Sequence, residues 1–228
     1  MIYFNGVTKK YKNSDDSSLE NVSFTISQGE FVSIVGHSGA GKTTITKLLL
    51  AEEYPSEGEI FYHSTNIHKL PKRELINLRR KIGTVFQDFR LLQNKTAYEN
   101  IAFAMEATGK TEDEIREDVP HVLELVDLGK KASHFPSQLS GGEKQRLAIA
   151  RAIITQPDII IADEPTGNLD PINTSDVINI LKKINDLGTT VILTTHNKSV
   201  VDQLKKRVIT LQNGKIIRDE KEGKYIIK

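Results

Sequence analysis

The sequence predicts an α/β fold, in which helices lie on the faces of a largely parallel β-sheet. Short apolar runs such as Ile159–Asp163, typical of strands buried on both faces, recur along the chain. Helical segments lie between them. In one of these segments the apolar residues follow i, i+3, i+4, i+7 spacing, at Val177, Ile180, Leu181 and Ile184. Strands that alternate with helices in this way favour a parallel sheet.

The predicted elements follow a definite order along the chain. Strands are predicted at residues 2–10, 23–26, 31–35, 82–86, 159–163, 191–195, 208–211 and 215–218, and a polar turn at residues 13–16. The first part of the chain contains strands only, whereas the stretch from Ala97 to about Val126 is helical throughout. We therefore predict one domain, in which a helical subdomain of residues 89–149 is inserted into an α/β core of residues 1–88 and 150–228.

Composition excludes several classes of function. The 228 residues carry a net charge of +1, which gives no strong attraction to nucleic acids or acidic lipids. The lack of cysteine excludes disulfides, thiolate metal sites and cysteine nucleophiles. No apolar run approaches the roughly 18 residues that span a bilayer, and the first residues do not resemble a signal peptide. We expect a soluble protein that reaches a membrane only through a partner.

A glycine-rich loop follows the strand predicted at residues 31–35. It reads Gly36-His37-Ser38-Gly39-Ala40-Gly41-Lys42-Thr43 and matches the phosphate-binding pattern G-x-x-x-x-G-K-[ST]. Glycines let consecutive N–H groups surround a phosphate chain, Lys42 reaches the β- and γ-phosphates, and Thr43 offers a hydroxyl to Mg²⁺. The helix that begins here directs its positive dipole end at the phosphates. We expect a nucleoside triphosphate to bind at this loop, and we include Thr44 in the binding set.

Two acids end the apolar strand predicted at residues 159–163. Ligands bind at the carboxyl ends of strands in open α/β sheets, so Asp163 is placed to hold Mg²⁺ through water. Glu164 lies just beyond the strand, where its carboxylate can align an attacking water with the γ-phosphorus. Taken alone, the pair could be two solvated acids at a strand end. The phosphate loop favours the functional interpretation.

A short run of serine and glycine, Leu139-Ser140-Gly141-Gly142-Glu143, precedes another predicted helix. Ser140 is predicted to cap this helix, with Glu143 as its capping-box partner. A serine and two glycines at a helix N-terminus also form a second anion site, and one triphosphate cannot easily use two such sites in one subunit. Together with the phosphate loop and the two acids, this run resembles the signature motif of the ATP-binding-cassette ATPases.

The resemblance implies a fold, a reaction and an assembly. The implied fold is a P-loop NTPase core with an N-terminal antiparallel β subdomain and an inserted helical subdomain. The implied reaction is Mg²⁺-dependent hydrolysis of ATP to ADP and phosphate. Two chains of such ATPases enclose two ATP molecules head to tail, so Ser140, Gly141 and Gly142 would complete the site of the facing subunit.

Further positions match the family one by one. Tyr11 corresponds to the aromatic residue that stacks on adenine, and Gln87 to the glutamine that ligates Mg²⁺ and senses a membrane partner. The run Asn168-Leu169-Asp170 corresponds to the loop that touches the opposite active site. His196 corresponds to the histidine that contacts the γ-phosphate and the attacking water, although a lone histidine at a strand end is usually a surface residue. The implied catalytic residues are Lys42, Glu164 and His196.

The sequence departs from the family pattern at one position of the signature motif. Glu143 stands where glutamine is commonest after the two glycines. As the capping-box partner of Ser140, its carboxylate would point back and away from the nucleotide. We therefore expect the site to function.

One segment resembles the cassette subunits that act in bacterial cell division. It reads Gln87-Asp88-Phe89-Arg90-Leu91-Leu92 and lies where cassettes dock a cytoplasmic helix of an integral membrane partner. Phe89, Leu91 and Leu92 would be an unusual exposed apolar cluster unless a partner covers them, although they could instead pack the helical insertion onto the core. The implied function is ATP-driven action on that partner, at the cytoplasmic face of the membrane, in cell division and activation of cell-wall hydrolysis.

Lipoprotein-releasing and macrolide-export cassettes are the alternative. They share the run Pro165-Thr166-Gly167-Asn168-Leu169-Asp170, but they typically have asparagine before the Leu-Leu pair and proline after it, where this chain has Arg90 and Gln93. DNA-repair and chromosome-structuring ATPases interrupt the cassette with long coiled coils, and ribosome-binding members join two cassettes in one chain. The sequence has neither feature, and its neutral charge disfavours direct nucleic-acid binding. The full set of catalytic residues disfavours a non-enzymatic scaffold.

Overall fold

The computed structural model of the protein describes residues 1–11 and 17–225, so the turn predicted at residues 13–16 lies outside the described residues. Strands and helices alternate over most of these ranges. The strands are β1 (Ile2–Lys10), β2 (Ser17–Ile26), β3 (Phe31–Val35), β4 (Glu57–Tyr62), β5 (Thr65–Asn66), β6 (Ile82–Phe86), β7 (Ile159–Asp163), β8 (Thr190–Thr195), β9 (Arg207–Gln212) and β10 (Lys215–Glu220). The helices are α1 (Lys42–Leu49), α2 (Lys72–Arg80), α3 (Ala97–Ala107), α4 (Glu112–Leu125), α5 (Gly141–Ile153), α6 (Pro171–Asp186) and α7 (Lys198–Leu204).

A six-stranded sheet forms the centre of the molecule, in the order β10-β9-β3-β8-β7-β6. The pairs from β9 through to β6 are parallel, and β10 pairs antiparallel with β9. Every residue of β3 and β8 is buried, as expected for strands covered on both faces. The parallel arrangement brings the ends of β3, β7 and β8 to one edge, where a ligand can meet all three. The predicted α/β fold is confirmed.

A second, antiparallel sheet has the order β2-β1-β4-β5. The strand predicted at residues 23–26 is the second half of β2, which begins at Ser17. The sequence patterns did not predict β4 or β5. The first half of β4 is the polar run Glu57-Gly58-Glu59, so the alternation of buried and exposed residues that predicts a strand starts only at Ile60.

The stretch predicted to be helical from Ala97 to about Val126 consists of two helices, α3 and α4, with no strand between them in this described part of the chain. Gly109 between them has a φ of +84°, which a helix does not accommodate, and Thr111 begins α4 with a capping box. Both helices pack with α5 and α6 in one apolar core, through Ile101, Val119, Leu147 and Leu181. The division into residues 89–149 and the remainder stays a prediction.

The segment after Gln87 is less exposed than the sequence suggested. Leu91 is 7% exposed and belongs to the apolar core, and Phe89 and Leu92 are half-buried. Phe89 and Arg90 have positive φ angles, and this tight turn directs Leu91 inward. The Arg151 side chain holds the turn by donating to the carbonyl oxygens of Arg90 at 2.8 Å and Phe89 at 3.2 Å. Of the two interpretations, packing onto the core is therefore the one that applies to Leu91.

Among residues 1–11 and 17–225, none of the helices combines the length and the apolar character that crossing a bilayer requires.

Candidate active site

The glycine-rich loop connects β3 to α1 and forms one wall of a cavity of about 620 Å³. Two of its glycines are required by close contacts. A Cβ on Gly36 would lie 2.5 Å from the carbonyl oxygen of Leu211, and Gly41 has a φ of +107° with the Ser18 carbonyl oxygen 2.6 Å from a Cβ position. The cavity is lined by residues 37–39 and 41–44 of the loop, together with Gln87, Glu164 and His196. The fold thus brings the predicted phosphate and catalytic residues to one place.

The Lys42 side chain is buried at the base of this cavity. Its ammonium donates to the carbonyl oxygens of Gly36 at 2.8 Å and His37 at 3.1 Å, and it lies 3.3 Å from Oε1 of Glu164. The loop therefore curls around its own lysine. Phosphate oxygens are stronger acceptors for an ammonium than neutral carbonyls, so the lysine is placed to bind a triphosphate.

Glu164 connects Lys42 to His196. Oε2 of Glu164 lies 2.9 Å from Nδ1 of His196, and the backbone of Glu164 donates to the carbonyl oxygen of Thr194 at 3.0 Å. Glu164 has a φ of +50°, a left-handed conformation that is uncommon outside glycine. Its side chain is 15% exposed and that of His196 is 60% exposed. A largely shielded carboxylate thus lies beside the phosphate loop, with a histidine at its open side.

Asp163 lies behind Thr43 at the end of β7. Burial raises the pKa of Asp163, against the hydrogen bonds that it accepts from Thr194 and Thr43 and the charge of Lys42. Thr43, Gln87 and Asp163 offer only oxygen ligands, which are the ligands that Mg²⁺ prefers. The three residues fit a magnesium site. Thr43 and Gln87 line the cavity, and Asp163 accepts a hydrogen bond from Thr43.

The signature run begins α5 as the sequence predicts. Oε2 of Glu143 accepts from the Ser140 backbone at 2.9 Å and Oγ of Ser140 accepts from the Glu143 backbone at 3.3 Å, which confirms the capping box. Lys131 donates to Oε1 of Glu143 at 2.5 Å. The Lys131 hydrogen bond and the Ser140 backbone lower the pKa of Glu143 to about 2. Glu143, the residue that departs from the family pattern, is thus hydrogen-bonded to Lys131 and to the N-terminus of its own helix.

Ser140, Gly141 and Gly142 do not line the cavity in the described part of the chain. They contact the run from Asn168 to Asp170 and the start of α6 instead. A Cβ on Gly142 would lie 1.8 Å from Oδ1 of Asn173, and a Cβ on Gly141 would contact Leu169 at 3.6 Å. The N-terminus of the signature helix therefore lies next to Leu169 and Asn173 and outside the lining of the cavity in the described residues.

The run Asn168-Leu169-Asp170 links the signature helix to the cavity. Asn168 accepts from Nε2 of Gln87 at 3.1 Å and donates to the Gln87 carbonyl oxygen at 3.4 Å. Asp170 caps α6 by accepting from the backbones of Ile172 and Asn173. A movement of this run would thus change the hydrogen bonds between Asn168 and Gln87.

Tyr11 is separate from the other predicted residues. It does not line the cavity in the described ranges, and the Lys9 ammonium lies 4.9 Å from its ring centroid. Its proposed stacking on adenine stays a prediction.

Two residues of the cavity wall were missed by sequence reasoning. Ser18 lies at the start of β2, with Oγ 2.7 Å from Oγ1 of Thr44, and Tyr225 follows β10. Both are far from the motifs along the chain and come to the site only through the folded topology. No local pattern could have identified them.

Comparisons with known proteins agree with this geometry. Residues 19–167 match the family model described as ABC transporter. The chain is 48% identical to the cell division ATP-binding protein FtsE of Mycobacterium tuberculosis and 49% identical to the protein of that name from Bacillus subtilis, in each case over 225 residues that cover 99% of this chain and 98% of the relative. Its fold matches a dimeric structure of a post-hydrolysis state of the ATP-binding cassette MJ0796 bound to ADP and Pi, with a TM-score of 0.88, 38% identity and coverage of 99% and 100% of the two chains.

Proposed function

Because this chain belongs to the ATP-binding-cassette family of ATPases, we propose that it is the ATPase subunit of a bacterial cell-division complex. In this function it dimerises around two ATP molecules and drives an integral membrane partner of the FtsX type, which activates cell-wall hydrolysis. The proposed ATP hydrolysis rests on one observation, the contacts that connect Lys42 through Glu164 to His196. The identity of 47–49% to relatives named FtsE supports the part in cell division.

ATP binding uses the loop and its lysine. The N–H groups of residues 37–44 and the Lys42 ammonium hold the phosphates, and the lysine exchanges its contacts with Gly36 and His37 for charged phosphate oxygens. Thr43, Gln87 and Asp163 would hold Mg²⁺, and the ion would supply positive charge next to the phosphates.

Hydrolysis uses the carboxylate and the histidine. Glu164 accepts a hydrogen bond from the attacking water, and His196, which contacts the same carboxylate, keeps it aimed at the γ-phosphorus. The water oxygen bonds to the γ-phosphorus while the bond to the β,γ-bridging oxygen breaks. One proton of the water passes through Glu164 to the released phosphate, and ADP and phosphate leave. The shielding of Glu164 strengthens these contacts because the local dielectric constant is low.

Dimerisation follows from the position of the signature helix. Its Ser140 and Gly142 lie at a helix N-terminus that can bind an anion but lie away from their own cavity. In a two-fold dimer, each helix reaches the cavity of the other chain. The hydrogen bond between Gln87 and Asn168 then couples the dimer interface to the segment Gln87–Leu92, where the membrane partner docks.

The partner docks near Gln87–Leu92. A groove of about 330 Å³ beside this segment is lined by Leu92, by Phe103 and by the arginines Arg79, Arg80 and Arg151. Phe103 is 49% exposed, which is unusual for an aromatic residue unless a partner covers it. Association with the membrane is thus peripheral and occurs at its cytoplasmic face, through this partner.

Affinity capture from bacterial membranes tests the proposal. Tagged wild-type chain and a Phe103→Asp variant are compared, with Leu187→Asp as the control because Leu187 is 81% exposed and does not line the groove. We expect the wild type and the control to retain an FtsX-like membrane protein and Phe103→Asp to lose it. Retention of a lipoprotein-releasing or drug-exporting permease would move the function to that alternative. Equal retention by all three chains would contradict the docking surface.

A further inference from the structure

Tyr225 lies in the wall of the nucleotide cavity, in the same lining as Lys42, Glu164 and His196. It follows β10 and belongs to none of the motifs that define the site. The proposed function assigns it no role. Its place in the same cavity wall as the catalytic carboxylate therefore needs an explanation.

The segment that carries Tyr225 is held in a defined position. The Tyr225 backbone donates to Oδ1 of Asp202 in α7 at 3.0 Å, and the Gly223 backbone donates to the carbonyl oxygen of Lys206 at 3.2 Å. A Cβ on Gly223 would lie 2.6 Å from Cβ of Val208, so only glycine allows this close approach to β9.

The Tyr225 side chain packs on the strand that leads into the phosphate loop. It contacts a small apolar cluster of Val35, Val201 and Val208. Val35 directly precedes the loop, and Val201 lies in the helix that follows His196. The ring thus rests between the two chain segments that supply the loop and the histidine.

Tyr225 and Glu164 line the same cavity. Burial raises the pKa of Tyr225, and the negative charge of Glu164 raises it further. The hydroxyl is therefore protonated at neutral pH and can donate a hydrogen bond.

Glu164 loses one donor when ATP binds. Its Oε1 lies 3.3 Å from the Lys42 ammonium and its Oε2 lies 2.9 Å from His196. In the proposed function Lys42 turns to the phosphates, so the attacking water becomes the donor nearest to Oε1, and a second, fixed donor is needed to hold the carboxylate while it aligns that water. Tyr225 is a neutral donor in the same cavity wall, and unlike a second lysine it does not compete for the phosphates.

We propose that Tyr225 is a positioning residue for Glu164, which holds the carboxylate through its hydroxyl while Lys42 binds the phosphates. The inference rests on the proposed ATPase function and adds a residue to it. The ring fixes the place of the hydroxyl through the apolar cluster, and the hydroxyl acts on Oε1 from the cavity wall.

Steady-state ATP hydrolysis by the purified full chain tests this role. Tyr225→Phe keeps the ring and removes the hydroxyl, and Tyr54→Phe is the control because Tyr54 is 58% exposed and does not line the cavity. We expect Tyr225→Phe to lower kcat roughly tenfold, as for the loss of one hydrogen bond to a charged group, with KM for ATP changed less than twofold. The control should match the wild type.

A second comparison separates action through Glu164 from independent action. In a Glu164→Gln background, Tyr225→Phe should lower the residual rate less than twofold, since the group it positions is already lost. A kcat of Tyr225→Phe within twofold of the wild type, a faster rate, or the same tenfold loss in the Glu164→Gln background would each overturn the proposal. Absence of ATP hydrolysis by the wild-type chain would count instead against the proposed function.

Discussion

Nδ1 of His196 lies 2.9 Å from Oε2 of Glu164, and this contact joins the ends of two neighbouring parallel strands, β7 and β8. The backbone N–H of His196 also donates to this Glu164 side-chain oxygen, at 3.3 Å. A carboxylate held from two directions has few rotamers to lose when a substrate arrives. Such preorganisation favours alignment of the attacking water with the carboxylate that accepts its proton.

The first prediction concerns Glu164→Gln. The amide keeps the size of the side chain but is a much weaker acceptor for the attacking water. We expect the ATP dissociation constant to change less than about threefold, and the turnover number to fall by roughly 10²- to 10⁴-fold, the usual effect of a general base. Equilibrium titration with labelled ATP and phosphate release assays measure the two quantities.

The control for this substitution is Glu53→Gln, which removes a carboxylate that pairs with Lys9 and does not line the nucleotide cavity. It should hydrolyse ATP as the wild type does. Wild-type turnover by Glu164→Gln would show that another group orients the water.

The sequence predicts the parts of the site whose chemistry is local. The run from Gly36 to Thr43 and the strand that ends in Asp163 are continuous patterns, and their positions in the fold agree with the prediction. Strands β3, β6 and β7 have the predicted bounds, because most of their residues are apolar and buried.

Features that depend on tertiary contacts could not be predicted in this way. Strand β4 begins with polar residues and is recognised only by its pairing with β1. Leu91 lies in the core because Phe89 and Arg90, which precede it, have positive φ angles, and no sequence pattern predicts these angles. Tyr225 reaches the cavity because β10 pairs with β9 and the segment after β10 is hydrogen-bonded to α7. No sequence motif therefore indicates its role.

The second prediction concerns the assembly of the site from two chains. Lys42→Ala should weaken ATP binding by tenfold or more, because the principal cation of the loop is lost. Ser140→Arg should leave its own loop intact but block the cavity of the facing chain. In a head-to-tail dimer, an equal mixture of the two variants forms mixed dimers with one intact site each, and we expect about a quarter of wild-type hydrolysis.

The comparison for this mixture is each variant alone at the same total concentration. Lys47→Ala, on the same helix as Lys42, controls for the loss of a lysine and should bind ATP normally. A mixture that gives only the mean of the separate rates would contradict assembly of each site from two chains.

The third prediction concerns stability and pH at the signature helix. The pKa of Glu143 is lowered to about 2 from an ordinary value near 4.5, so the folded state favours its ionised form. The stabilisation is complete above about pH 4.5 and is lost as the pH falls toward 2. With allowance for solvent at Lys131, which is 37% exposed, it amounts to about 2 kcal/mol at pH 7.

Urea unfolding of the wild type and Glu143→Gln at several pH values measures this contribution. We expect the wild type to be more stable by about 2 kcal/mol at pH 7, and the difference to fall to about half near pH 3, because the carboxylate is then protonated in the unfolded state but still largely ionised in the folded state. Glu74→Gln, in the first turn of α2 on the exposed surface, should show a much smaller effect. A difference between wild type and Glu143→Gln that stays constant from pH 7 to pH 3 would show that Glu143 stabilises the helix by packing, since packing does not titrate.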